Sequence, residues 1–238
     1  MNSPLQSTTC GVIIPAAGAG RRFGSDVPKQ YFLLNGKPII VWTVLSALRV
    51  PNCSCVLVAA PEGGMGFLRE LLEEFGLTGN MVQVIEGSTE RVLTVGVAVE
   101  HPLLDPVDVV VVHDAVRPLV PDSLWVSVIE SASVNGAAIP FLPISDTVKS
   151  VGASGEVAGT VDRSGLVRVQ TPQAFHLELI RRAYRHVLAS NTVCTDCASA
   201  VEAIGYPVQL VPGVETNIKI TTPYDLRLAG YLLATSRG

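Results

Sequence analysis

Four short and almost wholly apolar runs alternate with segments of helical periodicity, and this alternation constrains the fold more than any other feature of the sequence. The apolar runs lie at 12–14, 56–60, 82–85 and 109–112. Runs without polar interruption are typical of strands buried on both faces of a parallel sheet. Helical patterns lie at 38–48, 67–75, 90–99, 122–134, 176–189 and 196–204. This order predicts a three-layer α/β/α sandwich around a mostly parallel sheet, formed by one domain over residues 1–238.

The ends of several predicted helices carry capping residues. Asp122 is expected to cap the helix over 122–134, which Gly136 would end, and Asp196 is expected to cap the helix that follows it. Residues 217–220 predict a short strand. The tract 222–225, with threonine, proline and aspartate in helix-start positions, predicts the beginning of a last helix.

The alternation breaks between about residues 143 and 172, where serine, threonine, glycine and spaced valines replace the apolar runs. Residues 147–151 and 156–161 flank a glycine-containing turn and predict a β-hairpin, with 166–171 returning along it. An isolated hairpin is marginally stable in water. We therefore expect a protruding β-arm that packs on a second subunit; the alternative is that it folds back onto its own domain.

The composition limits the classes of protein that fit. Hydrophobic residues make up 48% of the 238 residues and charged residues 16%, which supplies enough apolar surface for a large core. The formal net charge of −4 argues against a nucleic-acid-binding protein, which would present a broad basic face. Isolated cations in an acidic chain fit a small anionic ligand better.

The cysteines and the amino-terminal residues indicate in which cellular compartment the protein is expected. The five cysteines have neither the even count nor the spacing of a disulfide framework, and a zinc site would need a second C-x-x-C pair. The first residues lack the pattern of a secretion or transit signal, and no apolar run approaches the ~20 residues that span a bilayer. We therefore expect a cytoplasmic protein without membrane association.

A loop rich in small residues and cations follows the first predicted strand. It has the sequence PAAGAGRRFGSDVPKQ and contains Arg21, Arg22 and Lys29. Small residues let backbone amides approach a ligand closely, and fixed cations beside them match the charge of a triphosphate. The loop therefore predicts a nucleotide site at the end of the first strand; a surface loop with solvated arginines is the alternative.

Two other phosphate-binding loops fit this segment less well. Its glycines follow G-x-G-x-x-x-G from Gly18 to Gly24, one residue longer than the dinucleotide-binding fingerprint of dehydrogenases. The G-x-x-x-x-G-K-[ST] pattern of the P-loop does not begin at Gly18. Three cations in one loop instead favour phosphoryl-type chemistry, in which negative charge develops during the reaction.

Five segments, taken in order, resemble one enzyme family. They are the loop PAAGAGRRFGSDVPKQY, HDAVRP from His113, TVDRSGL from Thr160, TPQAF from Thr171 and NIKITTPYDL from Asn217. Together they resemble the 2-C-methyl-D-erythritol 4-phosphate cytidylyltransferases of non-mevalonate isoprenoid biosynthesis over nearly the whole chain. The resemblance implies a Rossmann-like nucleotidyltransferase that transfers CMP from CTP to the substrate phosphate and releases pyrophosphate. It also implies Mg²⁺ and a homodimer joined through the arm.

The resemblance assigns roles to individual residues. Arg22 and Lys29 would be catalytic and stabilise the five-coordinate α-phosphate and the leaving pyrophosphate. Asp114, which follows the strand at 109–112, would bind Mg²⁺ together with phosphate oxygens. The CTP site would comprise Pro15, Ala16, Ala17, Gly18, Ala19, Gly20, Arg22, Lys29, Gly87, Ser88, Thr94, Asp114 and Ala115. The methylerythritol phosphate site would comprise Arg117, Thr147, Arg163, Thr171, Thr195 and Lys219, with Arg163 and Thr171 reaching the partner subunit's site.

Some positions depart from the family pattern and some alternatives stay open. Thr89 stands where some members have aspartate and Thr94 where they have serine, so only Thr94 is expected to keep its contact with the base. Cys197 stands where the pattern has glutamate, and Arg21 receives no role. The nearest alternative is a ribitol-5-phosphate or other sugar-phosphate cytidylyltransferase, although the Pro15-Ala16-Ala17 start favours methylerythritol phosphate. An alternative of another class is a non-catalytic nucleotide-binding module.

Overall fold

We describe the fold from a computed structural model that covers residues 8–18 and 27–235. The strands are β1 Cys10–Pro15, β2 Leu33–Leu34, β3 Lys37–Pro38, β4 Cys53–Ala60, β5 Val82–Glu86, β6 Val109–Val112, β7 Ala137–Pro143, β8 Val148–Val151, β9 Val157–Val161, β10 Val167–Val169, β11 Gln173–His176 and β12 Gln209–Pro212. The helices are α1 Ile39–Ala47, α2 Met65–Glu74, α3 Arg91–Val99, α4 Asp122–Asn135, α5 Leu177–Ser190, α6 Cys197–Glu202 and α7 Pro223–Thr235. Short 3₁₀ helices lie at Lys29–Tyr31 and Pro102–Leu104.

The four predicted apolar runs form the parallel half of an eight-stranded sheet. Its main path has the order β10-β7-β11-β6-β1-β4-β5, and β12 pairs with β7. Within it, β6, β1, β4 and β5 are all parallel neighbours. The prediction from the apolar runs is confirmed, because strands with helices on both faces are apolar along their whole length.

Successive residues of the central strands point into two separate cores, which confirms the three-layer arrangement. Val12 and Ile14 pack in a core formed with α1, α2 and α4. Ile13, between them, packs in the opposite core formed with α3, α5 and α6. Because a strand alternates its side chains between two faces, this division places helices on both sides of the sheet.

The other half of the sheet was not predicted from the sequence. β11 pairs antiparallel with both β6 and β7, and β10 pairs antiparallel with β7. The expectation that residues 166–171 return along the hairpin is therefore wrong, since β10 joins the main sheet instead. β11 has only four residues and begins with glutamine, so it carries too short an apolar pattern to be recognised.

The predicted hairpin is formed by β8 and β9, which pair antiparallel outside the main sheet. Its turn is closed by hydrogen bonds from the Gly152 amide to the Glu156 carbonyl and from the Gly155 amide to the Gly152 carbonyl. Val151 and Val157 are 70% and 65% exposed. We call residues 143–172 the arm. Within the described chain, the hairpin at the tip of the arm has no apolar core of its own.

Helix ends agree with the predictions in all but one case. Gly136 ends α4 in the left-handed region at a φ of 84°, and Asp196 caps α6 in a capping box with Ser199. At the start of α7, Asp225 accepts from the Thr222 amide while its own amide donates to the Thr222 hydroxyl. Asp122 is not the cap of α4, however. Pro121 occupies the cap position, and Asp122 lies in the first turn, bonded to Arg49.

The predicted strand at 217–220 is also wrong. Its amides and carbonyls mostly bond elsewhere: the Asn217 carbonyl accepts from Arg117 and Gln170, and the Ile220 amide donates to Val116. Tertiary contacts therefore hold this segment as an irregular loop. Within residues 8–18 and 27–235, no helix combines the length and apolar character needed to cross a bilayer.

Candidate active site

The candidate site lies at the carboxyl ends of β1, β5 and β6. In an open α/β sheet, the loops that leave these ends meet in a crevice. Here they are the loop after Pro15, the loop 87–90 that joins β5 to α3, and the turn from His113 to Arg117 after β6. A cavity of about 140 Å³ opens between them. Its walls include the predicted CTP residues Pro15, Ala16, Ala17, Gly18, Lys29, Thr94, Asp114 and Ala115.

The described part of the first loop is held by Gln30. Its side-chain amide is buried and donates to the carbonyls of Ala16 and Gly18 at 2.6 and 3.4 Å. The 3₁₀ turn that contains Gln30 also places Lys29, half-buried, on the cavity wall. The predicted residues Ala19, Gly20 and Arg22, and Arg21 beside them, lie outside the residues that the structure describes.

The loop 87–90 is tied to α3 by Thr94. The buried Thr94 hydroxyl accepts from the Ser88 amide at 2.9 Å and lies 2.8 Å from the Glu90 carbonyl. A Cβ on Gly87 would lie 2.6 Å from the Ala60 carbonyl oxygen and 2.9 Å from Thr94, so glycine is required there. Thr94, which was predicted to contact the base, lies on the cavity wall, and its hydroxyl also holds the loop.

Asp114 is surrounded by three cations. Its carboxylate lies 2.9 Å from the Lys219 ammonium, 3.4 Å from Nε of Arg117 and 3.9 Å from Nε of Arg91. Burial by itself would raise the pKa of Asp114, but Lys219, Arg91 and Arg117 together lower the pKa well below its ordinary value. Asp114 is therefore ionised, and three positive charges share one carboxylate.

Arg117 and Lys219 reach Asp114 because side chains cross-link their loops. Arg117 donates to the Asn217 carbonyl at 2.7 Å, and the Asn217 side chain donates to the Thr171 carbonyl at 2.8 Å. Gln170 donates to the same Asn217 carbonyl at 3.2 Å. The asparagine of the NIK tract thus fixes the loop from which Lys219 extends.

Thr171 lies beside Asp114 of its own chain. Its hydroxyl oxygen accepts from the Asp114 amide at 3.0 Å and lies 3.0 Å from Nδ1 of His113. Nε2 of His113 faces the Arg117 carbonyl at 2.9 Å and must carry the ring proton, so the Thr171 hydroxyl donates to Nδ1. Burial lowers the pKa of His113 to about 4, which keeps the ring neutral. His113 therefore has a structural role.

The position of Thr171 corrects one expectation. The resemblance implied that Thr171 reaches the partner subunit's site, whereas in this chain it is buried against its own Asp114. Its hydroxyl proton is engaged by His113, so the hydroxyl positions Asp114 rather than donating outward.

A second cavity, of about 250 Å³, adjoins the first. Its walls include four residues predicted for the substrate side, namely Arg117, Thr171, Thr195 and Lys219. Arg91, Asp114 and Lys219 line both cavities. We call these three residues the junction, because a ligand in either cavity meets them.

Two residues of the arm that were predicted for the substrate side, Thr147 and Arg163, are not brought to this site within the chain. Thr147 is exposed. Arg163 donates to the backbone carbonyls of Ile144 and Ser145 at the base of the arm. Neither residue is on the walls of the two cavities.

Sequence reasoning missed Arg91, Gln30 and Gln170. Arg91 was placed only within a helical segment, although it directly follows the loop predicted to bind the base. Its position at the first residue of α3, directly after that loop, could have identified Arg91 as a site residue. The two glutamines act through backbone carbonyls of distant loops, and no local pattern predicts such contacts.

The residues around Asp114 fit a magnesium ion that is held jointly with a substrate. Among residues 8–18 and 27–235, no group of three or more histidine, cysteine, aspartate or glutamate side chains could hold a metal. Asp114 supplies an ionised carboxylate to both cavities, and Mg²⁺ is commonly held by one or two carboxylates and substrate phosphates. The three cations disfavour a metal on its own, so the ion would bind with the phosphates.

A doubly wound sheet with cations at its carboxyl edge is typical of an α/β nucleotide-binding enzyme. Residues 10–235 match the family model described as 2-C-methyl-D-erythritol 4-phosphate cytidylyltransferase. A protein of that name from Syntrophus aciditrophicus is 41% identical over 226 residues, covering 95% of this chain and 96% of its own length. One from Frankia casuarinae is 42% identical over 233 residues, with 97% and 84% covered.

Solved structures agree. The crystal structure of 4-diphosphocytidyl-2C-methyl-D-erythritol synthase from Anaerococcus prevotii has a TM-score of 0.82 at 28% identity, covering 98% of this chain and all of that one. The 2-C-methyl-D-erythritol 4-phosphate cytidylyltransferase from Thermus thermophilus has a TM-score of 0.77 at 34% identity, covering 94% and 98%. The chain therefore belongs to the 2-C-methyl-D-erythritol 4-phosphate cytidylyltransferase family.

Proposed function

We propose that this protein transfers CMP from CTP to 2-C-methyl-D-erythritol 4-phosphate, giving 4-diphosphocytidyl-2-C-methyl-D-erythritol and pyrophosphate in non-mevalonate isoprenoid biosynthesis. The observation that carries the proposal is the pair of adjoining cavities that share Arg91, Asp114 and Lys219. Two anionic reactants that meet at a shared cationic wall need no protein nucleophile. Membership of the family supports the identity of both reactants.

In this proposal the first cavity holds CTP and the second holds the acceptor. Loop 87–90 and Thr94 would contact the base, while Lys29 and the predicted Arg22 would contact the phosphates. An oxygen of the acceptor phosphate attacks the α-phosphorus in line, and the bond to the leaving pyrophosphate breaks. Lys219 holds the acceptor phosphate against the α-phosphorus, and the cations offset the charge that develops on the leaving group.

Mg²⁺ is part of the proposal. Asp114 would hold the ion together with phosphate oxygens, and the bound ion would neutralise phosphate charge. Support comes from the ionised state of Asp114 and from its position on the walls of both cavities.

We also propose a homodimer in which the arm completes the neighbouring site. Support comes from the exposed valines of the hairpin and from the positions of Thr147 and Arg163, away from the cavities of their own chain. A partner subunit would cover the valines and receive Arg163.

The single catalytic domain and the cytoplasmic location are proposals too. All five cysteines are free thiols, which suits a reducing compartment.

Release of pyrophosphate with a panel of substrates tests the function. CTP should be preferred over ATP, GTP and UTP, and methylerythritol phosphate over ribitol 5-phosphate and other sugar phosphates. A preference for ribitol 5-phosphate would reassign the acceptor. Binding of CTP without release of pyrophosphate with any acceptor would indicate a non-catalytic nucleotide-binding module.

Mixing two inactive variants tests the dimer. If Arg163 acts in the partner's site, a heterodimer of Lys29→Ala and Arg163→Ala subunits contains one intact site. Random exchange would then restore about a quarter of the wild-type activity, because half of the dimers are mixed and each has one working site. Subunit exchange is verified with differently tagged chains. No recovery in verified heterodimers would place Arg163 in its own chain's site.

A further inference from the structure

Arg91 stands between the two cavities and the proposed reaction assigns it no role. It is the first residue of α3, directly after loop 87–90, and its side chain is 30% exposed. With Asp114 and Lys219 it forms part of the wall of both cavities. A guanidinium in that position can reach a phosphoryl group bound on either side of the junction.

The charge of Arg91 is offset less than that of the other two cations. Its Nε lies 3.9 Å from Asp114, compared with 3.4 Å for Arg117 and 2.9 Å for Lys219. Arg117 also donates to a backbone carbonyl at 2.7 Å, so its guanidinium is anchored within the protein. Arg91 retains planar N–H donors for a phosphate, which arginine binds in a bidentate manner.

Arg91 also contacts an uncharged side chain, that of Cys197. Nη1 of Arg91 is 3.4 Å from Sγ of Cys197, to which the Tyr184 hydroxyl donates at 3.3 Å. Burial raises the pKa of Cys197, so the thiol stays protonated. Because a protonated thiol is uncharged, it holds the guanidinium without neutralising it. The positive charge of Arg91 therefore remains available to a ligand in the cavities.

We propose that Arg91 contacts the phosphoryl group at the junction and is a further catalytic residue of cytidylyl transfer. The proposal rests on the function proposed above. The phosphoryl group would belong either to the nucleotide or to the acceptor, and the two sources share the chemistry that an arginine recognises. The competing explanation is that Arg91 acts only by orienting Asp114.

Binding of inorganic pyrophosphate, measured by calorimetry with EDTA present, tests the direct contact without metal or turnover. Arg91→Gln should weaken binding by about tenfold or more, and Arg91→Lys should retain part of it. Arg185→Gln is the matched control, because Arg185 is an exposed arginine paired with Glu100 at 2.7 Å. It removes the same charge and should change binding less than about twofold. Unchanged binding by Arg91→Gln, or no measurable binding by the wild type, would overturn the proposal.

A double-variant cycle separates direct contact from orientation of Asp114. If Arg91 touches the anion, Arg91→Gln should also weaken pyrophosphate binding about tenfold in the Asp114→Asn background. If the effect disappears in that background, Arg91 acts through Asp114 and the proposal fails. If Arg91→Gln does not unfold cooperatively in a thermal scan, the cycle is repeated with Arg91→Lys. A smaller loss of pyrophosphate affinity is then expected.

Steady-state kinetics distinguish the two sources of the phosphoryl group. Loss of kcat/KM for CTP with an unchanged KM for the acceptor would place Arg91 on the nucleotide, and the reverse pattern would place it on the acceptor phosphate. Both patterns support the contact. A wild-type enzyme that transfers nothing would refute the proposed function, whereas the pyrophosphate measurements would still decide whether Arg91 binds the anion.

Discussion

Asp114 and Arg117 are buried and bonded to segments 57 and 100 residues further along the chain, whereas the hairpin of the arm presents Val151 and Val157 to solvent. Around Asp114, hydrogen bonds join three different loops, so positions are set by several contacts at once. On the arm, Arg163 meets only nearby backbone carbonyls. The difference indicates that the chain completes the junction by itself, whereas the hairpin of the arm would be covered only in the proposed dimer.

The largest effect is expected from Lys29→Ala. Removing a cation that contacts the developing charge should lower kcat by about 10²–10³-fold while leaving the fold intact. Arg69→Ala, on the exposed face of α2, is the control and should keep wild-type kcat. Pyrophosphate release and a thermal scan give both readouts, and a near-normal kcat for Lys29→Ala would remove Lys29 from the catalytic residues.

Acid should destabilise the folded protein through His113, which is buried next to Asp114. Its folded pKa of about 4 lies below the ordinary value of ~6.5, so between these pH values the unfolded chain binds a proton that the folded chain excludes. The free energy of unfolding should therefore fall by about 1.4 kcal/mol per pH unit as the pH drops below 6.5, and by about 3 kcal/mol at pH 4.

Denaturant unfolding between pH 4 and 8 measures this loss. His113→Gln should flatten the dependence over that range, whereas His176→Gln, at an exposed histidine, should keep the wild-type slope. If the free energy of unfolding depends on pH in the same way in the wild type and in His113→Gln, His113 is not the group responsible.

A smaller loss of stability is expected when the Thr171 hydroxyl is removed. Thr171→Val leaves the Asp114 amide and Nδ1 of His113 without partners and should cost about 1–3 kcal/mol. Thr171→Ser keeps the hydroxyl and should recover most of that loss. Chemical denaturation compares the two, and equal stabilities for Val and Ser would mean that the two hydrogen bonds contribute nothing net.

The smallest effect on the single chain is expected on the arm. Val157→Ser should change the stability of the subunit by less than about 0.5 kcal/mol, because the side chain is 65% exposed. The same change in the buried Val111 should cost several times more. Sedimentation should show weaker dimerisation for Val157→Ser only. A subunit that loses stability as Val111→Ser does would place the valine in an intrachain core.

The sequence predicted local features well and tertiary ones poorly. The parallel strands and most caps follow from patterns within a few residues, such as 109–112 or the start of α7. β11 and the loop at 217–220 depend on partners far along the chain, because Asn217 bonds Thr171 and Arg117. Arg91 was missed for the same reason, since an arginine at the start of a helix resembles a solvated residue until the fold brings Asp114 beside it.

The long sequence separation between Asp114, Thr171 and Asn217 has a consequence for synthesis on the ribosome. The parallel strands β1, β4, β5 and β6 can pair while the chain is still growing, because all four lie before residue 113. Asn217 and Lys219 emerge after all of these strands, so the junction assembles only once residues beyond 219 have been made. A nascent or truncated chain can therefore form much of its sheet without an arrangement of cations that retains a phosphate.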